Sequence, residues 1–380
     1  MRGFSLVCAI GVLGSLAASA SASTRFSVTN LVTDDQTVNA AQITDANLVN
    51  AWGISYAGNS PFWVSANGTG KSTLYAVDPA TNATSKLGLV VTIPGPDEQT
   101  TGNPTGQASP FGTNTFVFAS EDGTVSGWAM GVTASVLQTA STSNVYKGVA
   151  VGTIDTSSYL YLANFRAGTI DVIKASAAEP DLAGSFTDPN LPAGYAPFNV
   201  ANLLGDALYV SYAVQDADKM DDVPGDGHGI VDEFDLQGNL VRRFTTGGTL
   251  NSPWGLAIAP PSFGSFAGNL LVGNFVGGAI NAFDLASGSF VAQLADPDGN
   301  PLAIDGLWGL IPGNDGFAGS KDAIYFAAGP RGESHGLFGV IMAAPEPDGE
   351  LLEGAALACL VGWIRRRPRG LRAAQRTRTS

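Results

Sequence analysis

Apolar residues in this chain fall in short runs separated by Gly, Pro, Asn and Asp, with no stripe of helical period. FWVSAN, FVFASE, LYLANF, LYVSYA, LLVGNF and IYFAAG alternate bulky with small or polar positions, the signature of half-buried strands. Each is preceded by an opening segment: NAWGIS, NPTGQA, VYKGVA, APFNVA, SPWGLA and LWGLIP. Each is followed by a third strand: TLYAVD, TVSGWA, TIDVIK, IVDEFD, AINAFD and LFGVIM. Aligned at Trp52, Thr105, Lys147, Phe198, Trp254 and Trp308, the units are 53, 42, 51, 56 and 54 residues apart. That is the length of a four-stranded propeller blade. The pattern predicts an all-β fold, a six-bladed β-propeller over residues 26–342.

Closure of the ring is also predicted. After LFGVIM no further strand follows, whereas FSVTNLVT, residues 26–33, has no blade of its own. Adding that N-terminal strand to blade 6 removes an exposed sheet edge. The glycine beside each opening aromatic lets the innermost strands approach around a crowded axis, and the indole is expected to cover the neighbouring blade. A buried Trp removes roughly 150–250 Å² from water, worth a few kcal/mol. These aromatics are read as packing and not as a ligand-stacking surface.

Composition agrees with a turn-dense β protein: 48 Gly, 21 Pro and only 14% charged residues. The ends read differently from the body. Residues 1–22 carry Arg2, an apolar run from Phe4 to Ala18, and two small-x-small cleavage sites ending at Ala20 and Ala22, the pattern of a signal peptide. Residues 345–370 carry Pro345, Glu346 and Pro347, then an apolar segment, then Arg365, Arg366, Arg367 and Arg369, followed by a basic tail, 371–380. The apolar segment Gly354–Ile364 spans about 16 Å of helix against a membrane core of about 30 Å, which suits a transient signal more than a permanent span. Cys8 and Cys359 both lie in these ends, so the body has no thiol for a disulfide, a nucleophile or a metal.

From 26 to 342 there are 10 basic and 29 acidic residues, a net charge of −19. Nucleic acid is excluded as a natural partner, because its phosphates demand the opposite sign. No Gly-x-Ser-x-Gly, His-Glu-x-x-His or phosphate loop occurs, so common hydrolase and nucleotide chemistries have no motif here.

The connections leading into the first strands and the loops between second and third strands share one rim of a propeller. Two sets of candidate metal ligands fall there. The first is the loop AVQDADKMDDVPGDGHG, with Asp216, Asp218, Asp221, Asp222 and Asp226. Clustered carboxylates repel one another, and Ca2+, which takes six to eight oxygens, would relieve that. Met220 breaks the EF-hand order, and a solvated loop is the competing reading. The second set is axial: Glu121, Asn164 and Asn274 at the ends of second strands, where the competing reading is Asn bonding its own turn. Asn67, His228 and His335 are further rim candidates, both histidines preceding a Gly and a third strand.

NSPWGLAIAPPSFGSFAGNLLVGNFVGGAINAFD, YAVQDADKMDDVPGDGHGIVDEFDLQGNLVRRF, AIDGLWGL and HGLFGVI resemble a family of exported bacterial six-bladed propellers, NHL-like in pattern. Many members end in PEP-CTERM sorting tails, which APEPDGELLEGAALACLVGWIRRRPRG resembles. The second repeat, NPTGQASPF, departs from the family in lacking Trp-Gly. The resemblance implies export to the cell envelope or extracellular polymer of a Gram-negative bacterium and an exosortase-type processing enzyme as partner. It brings no activity. The leading expectation is a monomeric, non-catalytic binding or matrix protein with a polysaccharide or small-molecule ligand. The alternatives are a lactonase or esterase using an axial divalent ion and a quinone-dependent sugar dehydrogenase, for which ten basic residues supply few cofactor contacts.

Overall fold

Six antiparallel sheets surround one axis in a computed structural model that describes residues 24–97 and 99–344. The expected signal peptide, residues 1–22, and the expected sorting tail with Pro345, Glu346 and Pro347 lie outside the described residues. The innermost strands are Ala51–Ser55, Pro104–Ala108, Tyr146–Ile154, Tyr195–Asn202, Pro253–Ile258 and Leu307–Pro312, each at the edge of its sheet. All six belong to the aligned openings of the sequence repeat.

Blades 1, 2, 4 and 5 have four strands. Blade 3 has three, Tyr146–Ile154, Ser157–Asn164 and Thr169–Lys174. Pro180, Pro189 and Pro192 occupy the stretch where its fourth strand would run, and proline cannot donate to a ladder. Instead Gly184 and Phe186 donate to the carbonyls of Gln237 and Gly238, which belong to blade 4. Phe186 then packs against Tyr161 and Phe234, across the boundary between the two blades. Blade 6 is closed as expected. Phe26–Thr33 pairs antiparallel with Leu337–Ala343, from Phe26 opposite Ala343 to Thr33 opposite Leu337. Leu31 and Val32 are fully buried beneath it with Phe338 and Val340, so closure also completes a core.

Every innermost strand carries a register shift at the aligned position. The shifts fall between Ala51 and Ile54, Pro104 and Gln107, Tyr146 and Gly148, Pro197 and Asn199, Pro253 and Gly255, and Leu307 and Leu310. A bulge re-aims the side chain it contains. Here it turns Trp52, Lys147, Phe198, Trp254 and Trp308 to the axis, where they meet.

The residue after the bulged position abuts the next blade. A methyl group on Gly53 would lie 2.4 Å from the Thr105 carbonyl, on Gly106 2.6 Å from the Val149 nitrogen, and on Gly255 or Gly309 2.7 Å from the carbonyl of Trp308 or Trp52. Blade 4 has Asn199 at this position, and its amide donates to the Trp254 carbonyl at 2.7 Å. Glycine is therefore required by space and not by backbone angle. Gly53→Ala should cost about 2–3 kcal/mol in urea unfolding, the price of overpacking against a backbone that cannot yield. Gly88→Ala, on an exposed outer strand with nothing within 4 Å, should stay within about 0.5 kcal/mol. Equal effects of the two would remove this account of the glycine ring.

Candidate functional site: the plugged mouth of the channel

Trp52 and Trp308 stack with ring centroids 3.6 Å apart, and Trp254 stands edge-on to them at 6.3 and 6.0 Å. Phe275 stacks on Trp308 at 3.9 Å, and Phe198 leans on it at 5.8 Å. The indoles thus converge on the axis from blades 1, 5 and 6 instead of each covering a neighbouring blade. The bulges make the difference. The aromatics close one end of the channel, with Met220 of the acidic loop packed against them.

Lys147 is the bulged residue of blade 3, and its side chain is only 2% exposed. Its ammonium lies 2.5 Å from Glu121 Oε1, 2.9 Å from Asp221 Oδ1 and 5.3 Å from the centroid of Trp52. Burial alone would depress this lysine. The carboxylates of Glu121 and Asp221 outweigh burial and hold its pKa above the ordinary value, so it stays charged at neutral pH.

A hydrogen-bonded chain runs outward from it. Asn67 Nδ2 donates to Glu121 Oε2 at 2.9 Å, and Asn50 Nδ2 donates to Asn67 Oδ1 at 3.3 Å and to Glu333 Oε2 at 3.1 Å. Asn50 Oδ1 in turn accepts Trp308 Nε1 at 3.1 Å, tying the polar chain to the aromatic plug. On the other side Ser252 donates its hydroxyl to Asp222. All six blades contribute a residue. Asn50, Ser252 and Glu333 all have positive φ, at 48°, 49° and 66°. Such left-handed backbone costs a non-glycine residue energy, and surrounding contacts must hold it.

The five aspartates of the loop do not share one point. Asp216 accepts the Met220 N–H at 2.8 Å, within its own turn. Asp218 and Asp226 are exposed, and the Asp218 carbonyl accepts from Arg166 at 3.3 Å. Asp221, its side chain still 71% exposed, reaches Lys147 from the rim, and Asp222 turns inward to Ser252. Of the axial set, Glu121 is at the mouth. Asn164 spends its amide on the Val145 and Ala167 N–H groups and on Asn144 and Asp171. Asn274 accepts from Asn251 N and donates to the Thr249 carbonyl. Both therefore fasten their own turns and do not face Glu121. His228 Nδ1 meets the Val223 carbonyl at 3.0 Å, and His335 Nδ1 meets Asp34 at 2.9 Å, so each histidine has a separate local partner. Among the described residues no three His, Cys, Asp or Glu side chains converge to hold a metal ion.

Lys147, Glu333 and Ser252 were not among the candidates. The signal for Lys147 was a lysine in a column otherwise occupied mostly by Trp and Phe. An unusual acidic loop one blade further on offered its counterions. Glu333 and Ser252 gave no such signal, because nothing local marks a polar loop residue as buried.

Glu333 makes the mouth sensitive to pH. Burial, with Glu121 nearby and Asp221 and Asp222 adding to it, pushes its carboxyl up to about 7 against the partial offset of Lys147. The folded chain therefore holds a proton that the unfolded chain has released between about pH 4.5 and 7, and stability falls as pH rises through that window. Asp232, buried within blade 4, is also pushed up to about 7 by desolvation and follows the same sign. Subtracting the profile of Glu333→Gln from that of the unsubstituted chain isolates Glu333. The substituted chain should gain about 1–2 kcal/mol relative to the parent across this window. Parallel profiles from urea unfolding at each pH would refute it.

No family model matches the chain. It is 33% identical over 326 residues to "Uncharacterized protein R648" of Acanthamoeba polyphaga mimivirus, covering 80% of this chain and 77% of that protein. It is 36% identical over 204 residues to "Uncharacterized protein L690" of the same virus, covering 52% of each. Neither name bears on a bacterial origin or a sorting tail. Among solved structures, a glucose dehydrogenase aligns with a TM-score of 0.49 and 12% identity over 84% of this chain and 100% of that one. A nidogen/laminin complex aligns with a TM-score of 0.43 and 13% identity over 70% and 85%. With its six blades and the extent of the first viral match, the chain belongs to the same family as mimivirus protein R648.

Proposed function

We propose that this chain is a non-catalytic binding propeller, exported and held in a cell envelope or extracellular polymer, with a polysaccharide or small molecule as ligand. The observation that carries the reading is Lys147. Its ammonium lies at the centre of the mouth between Glu121 and Asp221. An axial metal enzyme would need a divalent ion with an open coordination position in that place. A buried lysine paired with the same carboxylates supplies the positive charge and leaves no vacant ligand position.

The remaining supports come from sequence. The leader 1–22 and the arginine-ended tail favour export with processing by an exosortase-type enzyme, and a net charge of −19 between 26 and 342 keeps the body soluble. The acidic loop fits this reading as a strap, since Asp221 and Asp222 reach the mouth while Met220 rests on the plug.

Thermal unfolding with calcium and with chelator tests the reading. The unsubstituted chain should melt at the same temperature in both, whereas a calcium site filled to about 100 times its Kd would add about 2.7 kcal/mol. Lys147→Met should destabilise the chain by an equal amount with calcium and with chelator, because it leaves Glu121 and Asp221 without their cation. A calcium-dependent rise in the unsubstituted chain that Glu121→Gln abolishes would overturn the reading in favour of an axial ion.

A further inference from the structure

The channel beyond the plug is open. Its cavity has a volume of about 340 Å³ and is lined from all six blades, starting at Gly53, Gly106, Gly309 and Trp254 and ending at Tyr56, Ser109, Leu203 and Pro312. Three residues of extended strand separate the two levels in blade 1, about 10 Å at roughly 3.3 Å each. The space is at the lower end of the range of small-molecule sites, about 300–1,000 Å³.

Its chemistry is selective. No charged side chain lines it, although the body is strongly acidic. The six innermost strands pair along their outer edge only, so backbone N–H and C=O groups of the axial edge alternate around the space. The amides at the wall are already engaged: Gln107 accepts from Ser65 and Ser72, Asn199 donates to Trp254, and Asn202 donates to Val151. Two hydroxyls are not. Ser55, 7% exposed, and Ser109 each have an Oγ without a protein partner, but both atoms are closed off within the wall. The groups left to a guest or solvent are those of the axial backbone edges, whose hydrogen bonds must be made there. Ile54, Val149, Leu256 and Leu310 give the same wall an apolar part.

We propose that this channel binds an uncharged, hydroxyl-bearing small molecule of the size of one sugar ring or a short polyol. The guest's hydroxyls meet the backbone edges, while its C–H faces rest on the apolar wall. A charged guest would lose its hydration with no counterion to replace it. The proposal rests on the binding-scaffold reading and specifies where and what that scaffold binds.

Saturation-transfer NMR and calorimetric titration on the full-length chain provide the test. The probes are methyl β-glucoside, myo-inositol and sorbitol, with glucuronate and glucosamine as charged counterparts of the same size. At least one neutral probe should bind, and the charged pair should bind at least about tenfold more weakly, a gap of about 1.4 kcal/mol. Leu203→Trp, which narrows the opening, should abolish binding with the melting temperature kept. His228→Ala, on the other face, should leave binding intact. Failure of every neutral probe, equal binding of charged ones, or binding that survives Leu203→Trp would overturn the proposal. Failure here with a calcium-silent chain leaves the scaffold reading standing with a different surface, whereas calcium dependence overturns that reading whatever the probes do.

Discussion

Six strands converging on one axis must pass within backbone contact of one another, and most of this structure follows from how that crowding is relieved. Five positions next to the bulge are glycine because a methyl group would strike the next blade, and the sixth, Asn199, converts the same proximity into a hydrogen bond. The bulges then decide what occupies the axis. Each turns one side chain inward, so one column of the repeat becomes a single layer of Trp52, Thr105, Lys147, Phe198, Trp254 and Trp308. Closure by Phe26–Thr33 completes the ring around that layer.

A lysine in such a layer is costly. Removing an ammonium from water carries a penalty of several kcal/mol, which only well-placed carboxylates offset. Glu121 and Asp221 supply them from the two adjoining blades, and Asn67, Asn50 and Trp308 extend the network to the ring's far side. The acidic loop, the most conspicuous feature of the sequence, is in this light the partner of an inconspicuous lysine. Burial, with the neighbouring acids adding to it, then pushes Glu333 up to about 7. The plug and its charge network close one end of the channel and leave the other as an uncharged cavity.

Fold was largely legible in the sequence. The repeat set the blade count, the missing last strand and the spare first one predicted closure, and Trp-Gly pointed to a crowded axis. Each of these rests on local patterning, which a propeller repeats in every blade. The site was less legible. Asn164 and Asn274 end their second strands and bond their own turns, whereas Asn67 follows its strand by one residue and bonds Glu121 of the next blade. What separates them is one residue of register: Phe165 and Phe275 are the equivalents of Asn67, each donating its N–H to the connection that enters its own blade, and the apolar pattern does not mark that offset. The convergence of the indoles was hidden for a related reason. A bulge shifts a side chain's direction by one residue of register without altering the apolar pattern that reveals the strand. Blade 3 lost its fourth strand to prolines that were in plain view, but the spacing of the repeat alone gave no reason to weigh them.

The central claim is that a buried ammonium, held by a carboxylate from the next blade, completes the axis. A double-mutant cycle between Lys147→Met and Glu121→Gln, read by urea unfolding near pH 7, measures it most directly. Coupled partners in one buried network share about 0.5–3 kcal/mol beyond additivity. A coupling of about 2 kcal/mol or more, with the double variant more stable than the two single losses imply, is the expected result. Losses that simply add would mean that Lys147 does not depend on Glu121, and the account of the mouth would be wrong.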